Sequence, residues 1–194
     1  MVIYIYSKTS EKKSVFEDVI EIIRENAKEI IVSIEHNRNF KELENIKKEM
    51  VDTDILLIGS LKSLGITNTD IANELDYFIR NGKFLVVCNI ESTYKYGIGQ
   101  PMNRAILKTI LDSIALNNNI VRINSNKKSN VGRSKIEFPD NWEDLYEKWE
   151  KEEISSKKFM EESGLKKATF YNMVTEYKEI LRANADFVKK FKLA

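Results

Sequence analysis

Four short runs of β-branched, leucine and aromatic residues, each followed by a segment of helical spacing, constrain this chain more than any other feature. The runs are Val2-Ile3-Tyr4-Ile5-Tyr6, residues 30–34, Ile55-Leu56-Leu57-Ile58 and Phe84-Leu85-Val86-Val87. Apolar runs this short, bounded by polar residues, read as buried strands. Between the first two, Val15, Val19, Ile22 and Ile23 recur at helical spacing within residues 10–26, with Ser10 or Ser14 placed to cap the helix. Phe40, Leu43, Ile46 and Met50 share one face of a second helix. Ile71, Leu75, Phe78 and Ile79 mark a third, which Thr67 or Thr69 caps and Asn81-Gly82 stops. Strands separated by helices in this rhythm form a mainly parallel sheet covered on both faces. The expected fold class is α/β.

The pattern then changes. Residues 92–100 read as a loop, and Pro101 suits the first turn of a helix running over about residues 101–124. Met102, Ile106, Leu107, Ile110, Leu111 and Ile114 form its broad apolar stripe. Such a stripe either meets another copy of the chain or packs on its own sheet. Residues 125–135, SNKKSNVGRSK, are polar, basic and aperiodic, the composition of a linker. Beyond them every segment is helical. Trp142, Leu145, Tyr146 and Trp149 line a first helix capped by Asp140 or Asn141; Ser155 or Ser156 caps a second with Phe159 and Met160 inside. Gly164 makes a sharp turn into a third helix over residues 167–181. A short helix, a glycine turn and a following helix within about 20 residues describe a helix-turn-helix.

Composition narrows the function classes. The formal net charge is only +1, so any polyanion is met by local patches rather than a general field. One such patch holds Lys127, Lys128, Arg133 and Lys135 without an acidic residue, and Lys166-Lys167 make another. A single cysteine, Cys88, excludes an internal disulfide, and with the single histidine, His36, leaves no Cys/His metal cluster. No apolar run approaches the roughly 20 residues that span a bilayer. The N-terminal MVIYIYSKTSEKK turns basic only after its apolar run, the reverse of a secretory signal. The expectation is a cytoplasmic protein.

Several segments together resemble the serine site-specific recombinases, the resolvases and invertases of plasmids and transposons. Ser60-Leu61-Lys62-Ser63-Leu64-Gly65-Ile66 is similar to that family's S-L-D-R-L-G-R, and Pro101-Met102-Asn103-Arg104 to the P-M-G-R opening its long helix. Residues 132–139 and 164–171 resemble its DNA-binding tail. The resemblance implies a resolvase-like α/β domain over residues 1–100, a long dimerisation helix over 101–125, a basic arm over 126–138 and a helix-turn-helix domain over 139–194. It implies a homodimer or higher oligomer on double-stranded DNA, with Met102, Ile106, Ile110 and Ile114 at the dimer interface, associated with a nucleoid or plasmid. It also implies a serine nucleophile near the end of the first strand, Ser7 here, which attacks a phosphodiester to give a phosphoserine link. Arginines around the phosphate stabilise the transition state, and neither metal nor cofactor takes part.

The charge-bearing positions depart from that pattern. Ile5 stands where the family has an arginine two residues before the nucleophile. Lys62, Ser63 and Ile66 replace the aspartate and both arginines of D-R-x-x-R, and Phe40 falls near another arginine position, with Arg38 close by. Leu116-Asn117-Asn118-Asn119 stands for E-F-E-R, and Arg122 is kept. Losing one preorganised donor costs about 10²–10³ in rate, so four or more such losses leave little cleavage even when far from additive. The expectation is a catalytically inactive, dimeric DNA-binding factor of architectural, regulatory or accessory type. The alternative is an active recombinase in which Arg38, Lys62, Arg104 or Arg122 substitutes for the missing groups. A third reading is a protein–protein module on the same scaffold.

For DNA, Arg133 is expected to enter a narrow minor groove while Lys127, Lys128 and Lys135 touch phosphates. Lys166, Lys167, Thr169, Tyr171 and Asn172 open the last helix, where base edges of the major groove are read. Asn172 suits adenine, Thr169 or Ala168 a thymine methyl, and Lys166 or Lys167 guanine or phosphate.

Overall fold

A computed structural model describes residues 1–36, 39–95, 99–119 and 136–192. They fall into two compact units, one drawing on Met1–Val121 with Arg182–Ala194, the other on Arg122–Leu181. No described helix is long and apolar enough to cross a membrane.

The first unit is built on four parallel strands, β1 (Val2–Lys8), β2 (Glu29–Glu35), β3 (Ile55–Ile58) and β4 (Phe84–Val87), in the order β2-β1-β3-β4. Side chains alternate across a strand, and here both faces are apolar. Ile3, Ile5, Leu57 and Val86 point to one layer with Phe16, Val19 and Ile20 of α1 (Ser14–Ile23). Tyr4, Tyr6, Leu56, Ile58, Leu85 and Val87 point to the other. That second layer holds α2 (Lys41–Glu49), α3 (Asn68–Arg80) and α4 (Gln100–Asn119), through Leu43, Ile46, Ile71, Leu75, Phe78 and Leu107. The expected α/β architecture with a parallel sheet is thus present.

Local chemistry sets the element ends. Thr67 rather than Thr69 caps α3, accepting from the Asp70 amide while the Asp70 carboxylate accepts from the Thr67 amide, a reciprocal box. Gly82, at φ +60°, follows the C-terminal Asn81. Neither Ser10 nor Ser14 caps α1; its N-cap is Lys13, which makes no capping bond, and a short 3₁₀ turn, Arg24–Asn26, follows the helix. Gly65 lies against the first turn of α3, where a Cβ would come within 2.5 Å of the Asp70 Cβ and 2.9 Å of the Ile71 nitrogen.

The outer edge of β4 is closed by side chains. Asn103 accepts from the Leu85 amide at 3.3 Å and donates to the Leu85 carbonyl at 2.8 Å. The Thr93 hydroxyl accepts from the Val87 amide at 3.0 Å and lies 3.2 Å from the Val87 carbonyl. Both residues are buried, so these bonds supply what a neighbouring strand would.

The second unit contains α5 (Trp142–Glu150), α6 (Ser156–Ser163) and the part of α7 (Lys167–Lys192) up to Leu181. Its core is aromatic: Trp142, Tyr146, Phe159, Phe170 and Tyr177 pack together with Leu145, Met173 and Val174. Ser155 caps α6 by accepting from the Lys158 amide, and Gly164 ends it in the left-handed region at φ +68°.

The third of these helices runs on past the expected residue 181. Residues 184–191 of α7 belong to the first unit, where Phe187 packs on Phe16 with ring centroids 5.9 Å apart and Phe191 joins the same apolar layer. The Asn184 amide donates to the Thr9 carbonyl at 3.1 Å, and Lys190 pairs with Glu17 at 3.0 Å. No glycine or proline interrupts residues 167–192, so no local signal ends the helix earlier.

Candidate functional site

Ser7 lies near the C-terminal end of β1, paired in register with Ile34 of β2 and one residue past the Tyr6–Ile58 pair with β3. In an open parallel sheet this is where connections leave for opposite faces, and ligands collect in the crevice such a reversal creates. Ser7 is fully buried. Its hydroxyl lies 3.1 Å from the Lys8 carbonyl and accepts from Lys13 Nζ at 2.6 Å.

Lys13 is the residue that sequence reasoning missed. Its ammonium also donates to the Lys8 carbonyl at 2.8 Å and the Glu11 carbonyl at 3.0 Å. An ammonium has three donors, and all three are engaged, two on the end of β1 and one in the loop before α1. Burial pulls the Lys13 ammonium down to about 8, with the Glu11 charge opposing that fall. A lysine six residues after the strand-end serine was the available signal. Nothing in the spacing showed that it would fold back.

The other cations considered for this site are placed differently. Lys62 contributes its backbone carbonyl, which accepts from Lys8 Nζ at 2.9 Å, while its side chain is exposed. Lys8 Nζ also sits 4.7 Å over the ring of Phe40. Arg104 is exposed on α4, and Arg38 and Arg122 lie outside the described residues. Glu11 faces this end of the sheet too, its Oε2 accepting from the Lys8 amide at 3.3 Å and its Oε1 from the Ser63 hydroxyl at 3.2 Å.

The start of α7 offers a second candidate surface. Phe170, Met173, Val174 and Tyr177 are buried in the aromatic core. Helical periodicity therefore turns Ala168, Tyr171, Asn172 and Thr175 outward, and all four are exposed, Tyr171 by 45%. Lys166 and Lys167 are exposed at the entry to the helix, and Thr169 is half-buried. Tyr171 keeps an edge contact with Phe170 at 5.1 Å. Lys127, Lys128, Arg133 and Lys135 lie outside the described residues.

The stripe on α4 divides. Ile110 and Ile114 are half-buried against the core of their own unit, beside buried Leu107. Ile106 is half-buried, and Met102 is exposed by 60%. Comparison of the chain with known protein families and with curated proteins finds no match.

Proposed function

We propose that this chain is a sequence-specific double-stranded DNA-binding protein on a resolvase-like scaffold, acting as a dimeric architectural, regulatory or accessory factor without cutting DNA. In this reading α6, the Gly164 turn and α7 form a helix-turn-helix, and the first turns of α7 enter the major groove. The observation that carries it is the exposed face Ala168, Tyr171, Asn172 and Thr175, flanked by Lys166 and Lys167 and backed by a packed aromatic core. Such a face sets a short set of hydrogen-bonding side chains on a rigid support. The basic residues of the arm, Arg133 above all, add minor-groove and phosphate contacts.

The surroundings of Ser7 support the absence of cleavage. A phosphoryl-transfer site needs donors aimed at the phosphate oxygens, whereas the ammonium on Ser7 already serves three internal acceptors. Selection of binding sites from random duplexes, followed by gel retardation, tests the reading. Asn172→Ala is expected to lose about 1–3 kcal/mol on the selected site, and Lys167→Ala to weaken all sequences alike while lowering the salt slope by about 1. No retardation at low salt would overturn DNA binding. A covalent protein–DNA species on a denaturing gel, abolished by Ser7→Ala, would instead establish an active recombinase.

A further inference from the structure

One edge of the sheet and one flank of α1 stand open together. β2 ends the strand order, and the Thr9 amide donates to the Glu35 carbonyl at 3.2 Å, so Glu35 turns its peptide groups towards β1. Alternation then turns those of Ile30, Val32 and Ile34 away from β1, where no described strand takes them. The pairing with β1 is unbroken from Glu29 to Glu35, and no proline, lysine or bulge blunts this edge. Ile30 and Val32 pack half-buried in the same apolar layer as α1. On α1 itself, Phe16 and Glu17 meet Phe187 and Lys190 of α7. Val15 and Ile22 share a different flank of that helix and are 42% and 50% exposed.

We propose that β2 and this flank of α1 form an interface for a second copy of the chain, joined by antiparallel β2–β2 pairing about a two-fold axis at Val32. The inference rests on the dimeric part of the proposed function and gives that dimer a surface other than α4, whose Ile110 and Ile114 pack on their own unit. The edge is its own complement. Ile30 pairs with Ile34 of the partner subunit and Val32 with its own copy, setting β-branched side chains opposite one another. Glu29 comes opposite Glu35 of the partner subunit, but Glu35 is buried and its Oε2 accepts from the Glu42 amide at 2.9 Å, so that charge is turned into its own unit. A two-fold axis normal to the sheet keeps both α1 helices on one face and runs them antiparallel. Val15 then faces Ile22 of the partner subunit, and Lys12 faces Glu25 of the partner subunit. Opposite charges thus meet at both ends of the helix pair, a complementarity that favours a second copy over an unrelated strand.

The test is sedimentation equilibrium of the full-length chain without DNA. Wild type is expected to form a dimer, and Ile22→Lys to weaken it at least about tenfold, because the interface would bury unpaired ammoniums. Lys12→Glu and Glu25→Lys should each weaken the dimer severalfold. Combining the two should restore it, a recovery that misfolding does not produce. Met102→Glu, at the exposed end of the α4 stripe, should leave the dimer intact. A dimer that Ile22→Lys leaves unchanged, or that Met102→Glu breaks, overturns the proposal while keeping the dimeric reading. A double charge swap no tighter than its parents overturns it too. A monomeric wild type overturns both the proposal and the dimer, leaving the edge to a strand of another protein. DNA retardation by α7 is a separate measurement that none of these outcomes decides.

Discussion

Phe187→Ala is the sharpest test of how the chain's last residues contribute. Phe187 is 4% exposed, with its ring 5.9 Å from Phe16 and 5.0 Å from Phe191, in the apolar layer that also holds Ile3, Ile5, Ile20 and Cys88. Truncating a buried phenylalanine to alanine costs about 3–5 kcal/mol, from lost transfer energy and an incompletely collapsed cavity. Against a total stability of about 5–15 kcal/mol for a typical domain, that is a large fraction. The loss should free residues 184–191 from α1, releasing the Asn184 amide from the Thr9 carbonyl. Cys88 supplies the reporter, since it is the single cysteine, 9% exposed, and burial pushes its thiol up to about 12. Labelling by a thiol reagent near pH 8 therefore proceeds through opened molecules. At about 1.4 kcal/mol per tenfold, a loss of about 3–5 kcal/mol predicts labelling roughly 10²–10⁴ faster. Lys190→Ala removes an exposed ion pair with Glu17, worth about 0–1 kcal/mol, and a long 6.0 Å approach to the Phe191 ring, and should leave the rate nearly unchanged. A Phe187→Ala protein labelled within twofold of wild type would refute the assignment of this segment to the first unit's core.

Two further perturbations have signs that follow from geometry. Because burial holds Lys13 at about 8 against an ordinary 10.5, the unfolded chain binds this proton more tightly than the folded one. Stability then rises with pH between those values, by at most about 3 kcal/mol. The stability of wild type relative to Lys13→Met in urea unfolding should rise by that order across the window; a flat difference would contradict it. Gly164→Ala places a Cβ in open space at φ +68°, so its cost is backbone strain alone, about 1 kcal/mol. Gly65→Ala should cost more than this in the same unfolding assay, since its Cβ meets the Asp70 Cβ at 2.5 Å.

How much of this was readable beforehand depended on the range of the interaction involved. Ile55–Ile58 and Phe84–Val87 were placed to the residue, because a strand buried on both faces has no choice but a continuous apolar run. Thr67 and Gly82 marked the ends of α3 through bonds and dihedrals internal to a few residues. The start of α1 was not readable. There the loop is held by a lysine ammonium folding back onto two carbonyls and a hydroxyl, which leaves no periodic trace. Periodicity likewise showed that Ile110 and Ile114 share an apolar face with Met102, but not which surface that face meets. In residues 184–191 the spacing of Phe187 and Phe191 continued the helix, yet the partner of Phe187, Phe16, is some 170 positions earlier in the chain.

The Asn103 and Thr93 bonds along β4 also decide how this sheet can meet other polypeptides. An exposed strand edge is a template for adding an extended peptide or a second sheet. On β4 the outward amides and carbonyls of Leu85 and Val87 already have partners. An incoming strand would have to displace a buried asparagine and a buried threonine before gaining its first rung. Growth of the sheet by edge-to-edge recruitment is therefore barred on that flank, and any β-mediated assembly of this protein is steered to the β2 side.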